Sequence, residues 1–252
     1  MHVVAVSTGR VRAKRAVRGV RRYLPGGWSD ATLPVNVFAV THPEGVLLFD
    51  TGQSAAAARP GFLPQWHPYL RLARFELTDE EEAAPQLRGL GLDPMSVRWV
   101  VLSHLHTDHV GGLGGFPRAE VVVSSVEWDV ARGLGGRLRG YVPHQWPTGI
   151  VPRLVDLDGP AIGPFPRSLD LAGDGRLLLV PTPGHTAGHL SLLARADDRG
   201  YLLAGDLVHT AAELESVAPA MAAYCRANDV VVLATHDQAA LDLVSGPSAA
   251  RS

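Results

Sequence analysis

The sequence predicts a mixed α/β fold, two β-sheets packed face to face with helices on the outside. Three observations carry that prediction. Short apolar runs punctuated by Gly, Pro, Asp and Ser recur along the chain, as strands and their turns do. Helix-forming stretches interrupt them, giving the rhythm strands, helix, strand, helix, strands, helix, strand. The 252 residues are 46% hydrophobic and 19% charged, enough to bury a sizeable core.

His2 to Ser7 alternates weakly and reads as an opening strand. Arg10, Arg12, Lys14, Arg15, Arg18, Arg21 and Arg22 follow. A solvated loop or hairpin edge explains them better than an anion-binding patch, because the formal net charge is only −2. Pro25-Gly26-Gly27 marks a loop. Val35–Thr41 and Val46–Asp50 read as two strands of a hairpin joined through His42-Pro-Glu-Gly45. Residues 53–77 hold Pro60-Gly61-Phe62 and Trp66-His67-Pro68-Tyr69 but follow neither a period of 2 nor one of 3.6. Such a stretch covers a core or walls a pocket, and His67 is expected not to be a ligand.

Thr78-Asp-Glu-Glu81 has the form of a capping box opening a helix. Pro85 either kinks that helix or marks its real start, and Gly89 and Gly91 close it. Trp99 to Leu102 is a buried strand, Glu120 to Ser124 another, and Ser125 to Leu134 a helix. Residues 135–170, rich in Gly, Pro and Arg, form a long loop or small insertion, a candidate lid. Arg176–Pro181, His189–Ala194 and Gly200–Ala204 are three further strands. A helix over 211–227, a strand over Val230–Ala234 and a small polar tail after 245 complete the chain.

The near-neutral charge gives no reason to expect a nucleic-acid partner. Cys225 stands alone, which rules out an intrachain disulfide and a thiolate metal cage. No run approaches the length of a membrane span and no apolar leader segment is visible, so a soluble, cytoplasmic protein is expected.

The chemistry concentrates where the Trp99–Leu102 strand ends. His104, His106, Asp108 and His109 follow it directly, and Gly111 and Gly112 are expected to let the backbone turn tightly. Other strand ends deliver His185, Asp206 and His236. Seven such donors are too many for one tetrahedral zinc and suit two adjacent divalent ions, zinc first, with iron, manganese or cobalt also compatible. Histidines one residue apart converge on one ion, Asp108 and His109 then point to the second, and Asp206 can bridge them. Asp50, closing its strand before Thr51-Gly52, either caps a turn or holds a metal-bound histidine in one tautomer. Two ions about 4 Å apart would share a hydroxide and polarise an incoming carbonyl or phosphoryl oxygen.

The motif His104-Leu-His106-Thr-Asp108-His109, with Gly-His185, Gly-Asp206, His236 and the early Phe49-Asp50-Thr-Gly52, resembles the metallo-β-lactamase superfamily over nearly the whole chain. The resemblance implies a four-layer αββα sandwich spanning residues 1–252, with 53–77 and 136–168 as pocket or lid segments. It assigns His104, His106 and His185 to one metal and Asp108, His109 and His236 to the other. Asp206 would bridge them and Asp50 would support a ligand. His189 matches a common non-ligand position. Within the superfamily, Ser-Thr-Gly9 and Thr182-Pro-Gly-His-Thr-Ala-Gly-His189 are similar to the N-acyl-homoserine lactonases. Those enzymes place a tyrosine three residues after the bridging aspartate, where this chain has His209, and their connection from that aspartate to the last histidine is longer.

The expected activity is therefore opening of a lactone, or cleavage of a related ester, by a metal-bridging hydroxide. Asp108 or His209 would assist departure of the alkoxide. A small-molecule ester is the expected partner. A thioester or phosphotriester is the alternative substrate. A mononuclear-iron dioxygenase and a non-catalytic metal-binding module are the alternatives of another class.

Overall fold

The computed structural model describes residues 1–13, 31–62, 73–133, 136, 140–143, 146–147 and 149–244. In chain order the elements are β1 (Val3–Ala13), β2 (Leu33–His42), β3 (Gly45–Phe49), β4 (Ala73–Glu76), α1 (Ala83–Gly89), β5 (Val97–Val101), α2 (Thr107–Val110), β6 (Glu120–Ser124) and α3 (Ser125–Arg132). There follow β7 (Arg153–Val155), β8 (Leu169–Asp170), β9 (Leu177–Pro181), β10 (Leu190–Arg195), β11 (Gly200–Gly205), α4 (Leu214–Val217), α5 (Pro219–Ala227), β12 (Val230–Ala234) and α6 (Gln238–Val244).

The strands form two mixed sheets, ordered β4-β1-β2-β3-β5-β6-β7 and β12-β11-β10-β9-β8. Successive side chains point to opposite faces of a strand, and both faces of most strands are covered here. Phe38, Val40, Leu47, Phe49, Trp99 and Val101 of the first sheet meet Leu177, Leu179, Leu192 and Leu203 of the second. Val37, Leu48, Val100 and Val123, facing the other way, pack under Ala83, Ala84 and Leu87 of α1 and Ala131 of α3. On the far side Leu178, Leu193 and Leu202 pack under Leu214, Ala222 and Cys225 of α4 and α5. The layers are helix, sheet, sheet, helix, as expected, and this double coverage is why the strands read as unbroken apolar runs.

Several local expectations need correction. The box at Thr78 caps a single 3-10 turn, Asp79–Glu81, and α1 begins at Ala83. Pro85 lies in the first turn of α1, where its missing N–H costs nothing, so it neither starts nor kinks the helix. The stretch 211–227 is not one helix. Ala218 leaves the helical region (φ −143°, ψ 69°) ahead of Pro219, so α4 ends at Val217 and α5 begins at Pro219. Residues 135–170 are not simply a loop: β7 adds an edge to the first sheet and β8 an edge to the second. β4 within 53–77, and α6 after His236, are further elements that local pattern did not announce.

Arg10 and Arg12 of the basic stretch lie on β1, with Arg10 donating to Thr32 and Arg12 near Glu76 at 3.4 Å. The remainder of that stretch, Trp66, His67 and the tail after 245 lie outside the described residues. Among the described residues no helix is long and apolar enough to cross a membrane.

The two sheets are fastened at the end where β3, β5, β11 and β12 deliver their carboxyl termini. Leu190 N donates to Ser103 O (2.9 Å), Asn36 N to Thr235 O (2.9 Å) and Asn36 Nδ2 to Asp237 O (2.7 Å). Open sheets place ligands at that end of their parallel strands.

Candidate metal centre

All seven donors named from the sequence converge at this fastened end. They form three overlapping groups, His104–His106–His185, His104–His109–Asp206 and Asp108–His109–His236, within each of which the donor atoms lie within 4.8 Å of one another. His104, Asp108, His109, Asp206 and His236 are buried, while His185 is exposed.

The ring nitrogens turned inward are set by what the opposite nitrogens bond. Asp50 is the anchor. It accepts from Ser103 N (2.7 Å), from Ser103 Oγ (2.8 Å) and from His109 Nδ1 (2.8 Å). To do so its backbone takes a left-handed φ of 61°, a conformation aspartate tolerates better than most residues. His104 Nδ1 donates to Ser103 Oγ (3.0 Å), and His236 Nδ1 to the carbonyl of Pro34 (2.8 Å). The Nε2 atoms of His104, His109 and His236 are thereby left facing the centre.

His104 Nε2 and His185 Nε2 each lie 3.0 Å from His106 Nδ1. Asp206 faces both sides: Oδ2 is 3.5 Å from His185 Nε2, and Oδ1 is 3.3 Å from His109 Nε2 and 3.4 Å from His236 Nε2. His236 Nε2 is 3.8 Å from Asp108 Oδ2. His109 Nε2 and Asp206 Oδ1 are buried without a hydrogen-bond partner, a costly state for a protein that held nothing there. Three crowded imidazole nitrogens and a carboxylate with an unpartnered buried oxygen fit divalent cations.

The electrostatics agree. Burial, reinforced by His109 and His106, holds His104 well below the ordinary histidine range. Burial and then His185 bring His106 down to about 4. Both therefore present neutral nitrogens. Burial also opposes charge on His109 and His236, but it is outweighed by Asp206 and Asp50 together at His109, which is lifted well above its usual value, and by Asp206 and Asp108 together at His236, which is lifted to about 9. Asp206 is itself held well below the carboxylate range, since His236 and His109 outweigh its burial. This carboxylate draws positive charge into the centre, which is the field a dication needs.

Gly111 and Gly112 do not serve the turn by unusual dihedrals, since their φ values of −61° and −82° suit any residue. A Cβ on Gly112 would strike the carbonyl of Thr51, so close approach to the turn that follows β3 is what requires glycine. His189, set aside as a non-ligand, has a defined task. Its Nε2 accepts from Asp206 N (3.1 Å) and its Nδ1 bonds Thr182 Oγ1 (2.8 Å), which meets Ser191 Oγ (2.8 Å). Burial holds His189 near 3, so it stays neutral and fixes the backbone that carries Asp206. Spacing does not reveal Ser103, because its part depends on which chain passes Asp50.

Beside the centre opens a cleft of about 380 Å³ lined by His106, Val130, Tyr141, Gly184, His185, Thr186 and Ala187. Tyr141, from the candidate lid, lies against His106 with ring centroids 4.9 Å apart and planes tilted by 44°. Trp146 and Phe62 line a separate cavity of about 100 Å³ against Thr107, Val110 and Gly111 of the α2 turn. His209 is exposed on the rim, its ring centroid 5.9 Å from that of His236.

The sequence pattern of the metallo-β-lactamase superfamily matches residues 31–236, a span that contains every donor above. The chain belongs to the metallo-β-lactamase superfamily. Among its relatives, the N-acyl homoserine lactonase AttM of Azorhizobium caulinodans is 32% identical over 190 residues, covering 71% of this chain and 66% of that protein. AttM of Rhizobium radiobacter is also 32% identical, over 73% of this chain and 69% of the relative. The match thus spans about two thirds of these lactonases' length.

Solved members of the superfamily share the fold. An N-acyl homoserine lactone hydrolase with N-hexanoyl-L-homoserine bound at its catalytic metal centre superposes with a TM-score of 0.72 at 20% identity, covering 95% of each chain. AidC, a dizinc quorum-quenching lactonase, superposes at 0.59 with 16% identity, covering 93% of this chain and 86% of its own.

Proposed function

We propose that this metallo-β-lactamase-fold chain is a dinuclear-metal-dependent hydrolase that opens a lactone or cleaves a related ester, with zinc as its metal. The observation that carries the proposal is the single Asp206 carboxylate, whose two oxygens face two different sets of donors. His104, His106 and His185 would hold one cation and Asp108, His109 and His236 the other, with Asp206 shared and Asp50 fixing His109. Two divalent cations so held supply a water acidic enough to act near neutral pH and a Lewis acid for a carbonyl oxygen.

The chain's own residues do the rest. The cleft between His106 and His185 seats the ester, and its volume suits a small molecule. Val130, Tyr141 and Ala187 give it apolar walls that limit access of bulk water. Hydrolysis adds hydroxide to the acyl carbon and a proton to the departing ring oxygen. His209, exposed with its ring centroid 5.9 Å from that of His236, would deliver that proton through its imidazole, the part a tyrosine plays in the resembling lactonases. Asp108, with an oxygen to spare beyond a single ligand atom, is the other group that can take part. The lactonase relatives support the choice of an acyl homoserine lactone as first substrate.

A panel of N-acyl homoserine lactones, thioesters and phosphotriesters, assayed on the zinc-loaded chain and on His209→Ala, tests this reading. The lactones are expected to turn over fastest, and the variant to lose on the order of 10²-fold in kcat at unchanged metal content. Preference for a phosphotriester or thioester would overturn the substrate assignment, and an unchanged kcat would overturn the part given to His209.

A further inference from the structure

α3 begins with Ser124 as N-cap, and Glu127 stands three residues on, the arrangement in which a glutamate ordinarily turns back to the start of its own helix. Glu127 does something else. Its side chain is fully buried, Oε1 accepting from Leu105 N (3.1 Å) and Oε2 from Gly188 N (3.2 Å). Leu105 lies between His104 and His106. Gly188 closes the loop that carries His185 and precedes His189, on which Asp206 N is hung. One carboxylate therefore clamps together the two loops that supply the three-histidine group.

The surrounding packing is built to admit it. A Cβ on Gly188 would meet the backbone of Glu127, at 2.6 Å from its Cα, so the His185 loop reaches α3 only because that residue is glycine. A buried carboxylate is costly unless its oxygens are satisfied, and both oxygens here are satisfied by backbone amides of the two loops. No closer use inside α3 accounts for the burial.

We propose that Glu127 is a positioning residue that sets the spacing of His106 and His185, and through it the affinity of the cation those histidines share with His104. The inference rests on the assignment of these histidines to one cation. Glu127→Gln keeps the shape but turns an NH2 group toward one of the two amides, so one loop is released.

Metal-free parent and variant are titrated with Zn2+ against a chelating competitor, with His106→Ala as reference. Glu127→Gln is expected to weaken one of two binding events by roughly 10- to 100-fold, the same event that His106→Ala abolishes, and to leave the other unchanged. Ala131→Gly, which weakens α3 and leaves the Glu127 carboxylate in place, is expected to bind both ions as the parent does. Glu127→Asp, too short by one methylene to span both amides, is expected to show the same selective loss and serves if the glutamine variant fails to fold.

Two parental affinities in Glu127→Gln, or an equal loss in Ala131→Gly, would overturn the proposal. A parent that binds fewer than two ions would instead overturn the dinuclear assignment beneath it.

Discussion

Asp206→Asn is expected to lower kcat/KM for a lactone by on the order of 10³-fold, equivalent to about 4 kcal/mol of transition-state stabilisation. It is also expected to reduce bound metal from two ions per chain toward one. The carboxylate is the one group in the centre with an oxygen on each side. An amide keeps a single oxygen, turns a donor toward an imidazole lone pair on the other side, and removes the negative charge that offsets two dications. The fold itself should survive. Asp50 still holds Nδ1 of His109 and the Pro34 carbonyl still holds Nδ1 of His236. Metal analysis, steady-state kinetics and circular dichroism on one preparation check all three expectations. A variant with full activity and two ions would show that the shared carboxylate is not needed.

Phe49→Ala is expected to cost about 3–5 kcal/mol of folding stability. Phe49 ends β3 inside the inter-sheet core, is fully buried, and pairs with Phe38 on β2 and Val101 on β5. Removing its ring leaves a cavity between two sheets that cannot close over it, since each is pinned by its own ladder. The loss is a large share of the 5–15 kcal/mol typical of a folded domain. It also falls next to Asp50, so the centre should loosen as the core does. Val151→Ala, at a side chain 90% exposed, is expected to change stability by less than about 0.5 kcal/mol. Denaturant unfolding with an unchanged slope measures both. A Phe49→Ala loss no greater than that of Val151→Ala would mean that the inter-sheet core is packed otherwise.

Much of the fold was legible because its strands are covered on both faces. Trp99–Leu102 and Leu177–Pro181 appear as unbroken apolar runs, and such runs survive any detail of topology. β4, β7 and β8 were not legible, because short edge strands owe their form to a neighbour's ladder and not to their own pattern. The break at Ala218–Pro219 was visible in principle, since proline restrains the residue before it, but the helix-forming composition on both sides hid it.

The seven donors were legible for a different reason. Each sits just past an apolar run, where a sheet must present whatever follows, and the resemblance to a known superfamily ordered them. The residues that aim those donors were less so. Asp50 was open between two uses until Ser103 and His109 were seen to meet it. His189 and Glu127 act on backbone amides 17 or more positions away in sequence. No spacing rule reaches that far, because the partner is chosen by the packing of one sheet on the other.

The proposed sharing of Asp206 by two divalent cations in a hydrolytic centre fixes both a stoichiometry and a reaction. The most direct test is metal content and turnover on one purified sample of the chain. Two ions per chain are expected, with lactone hydrolysis lost as they are stripped and restored as zinc is returned. One iron per chain with consumption of oxygen, or lactone hydrolysis undiminished after both ions are removed, would contradict it.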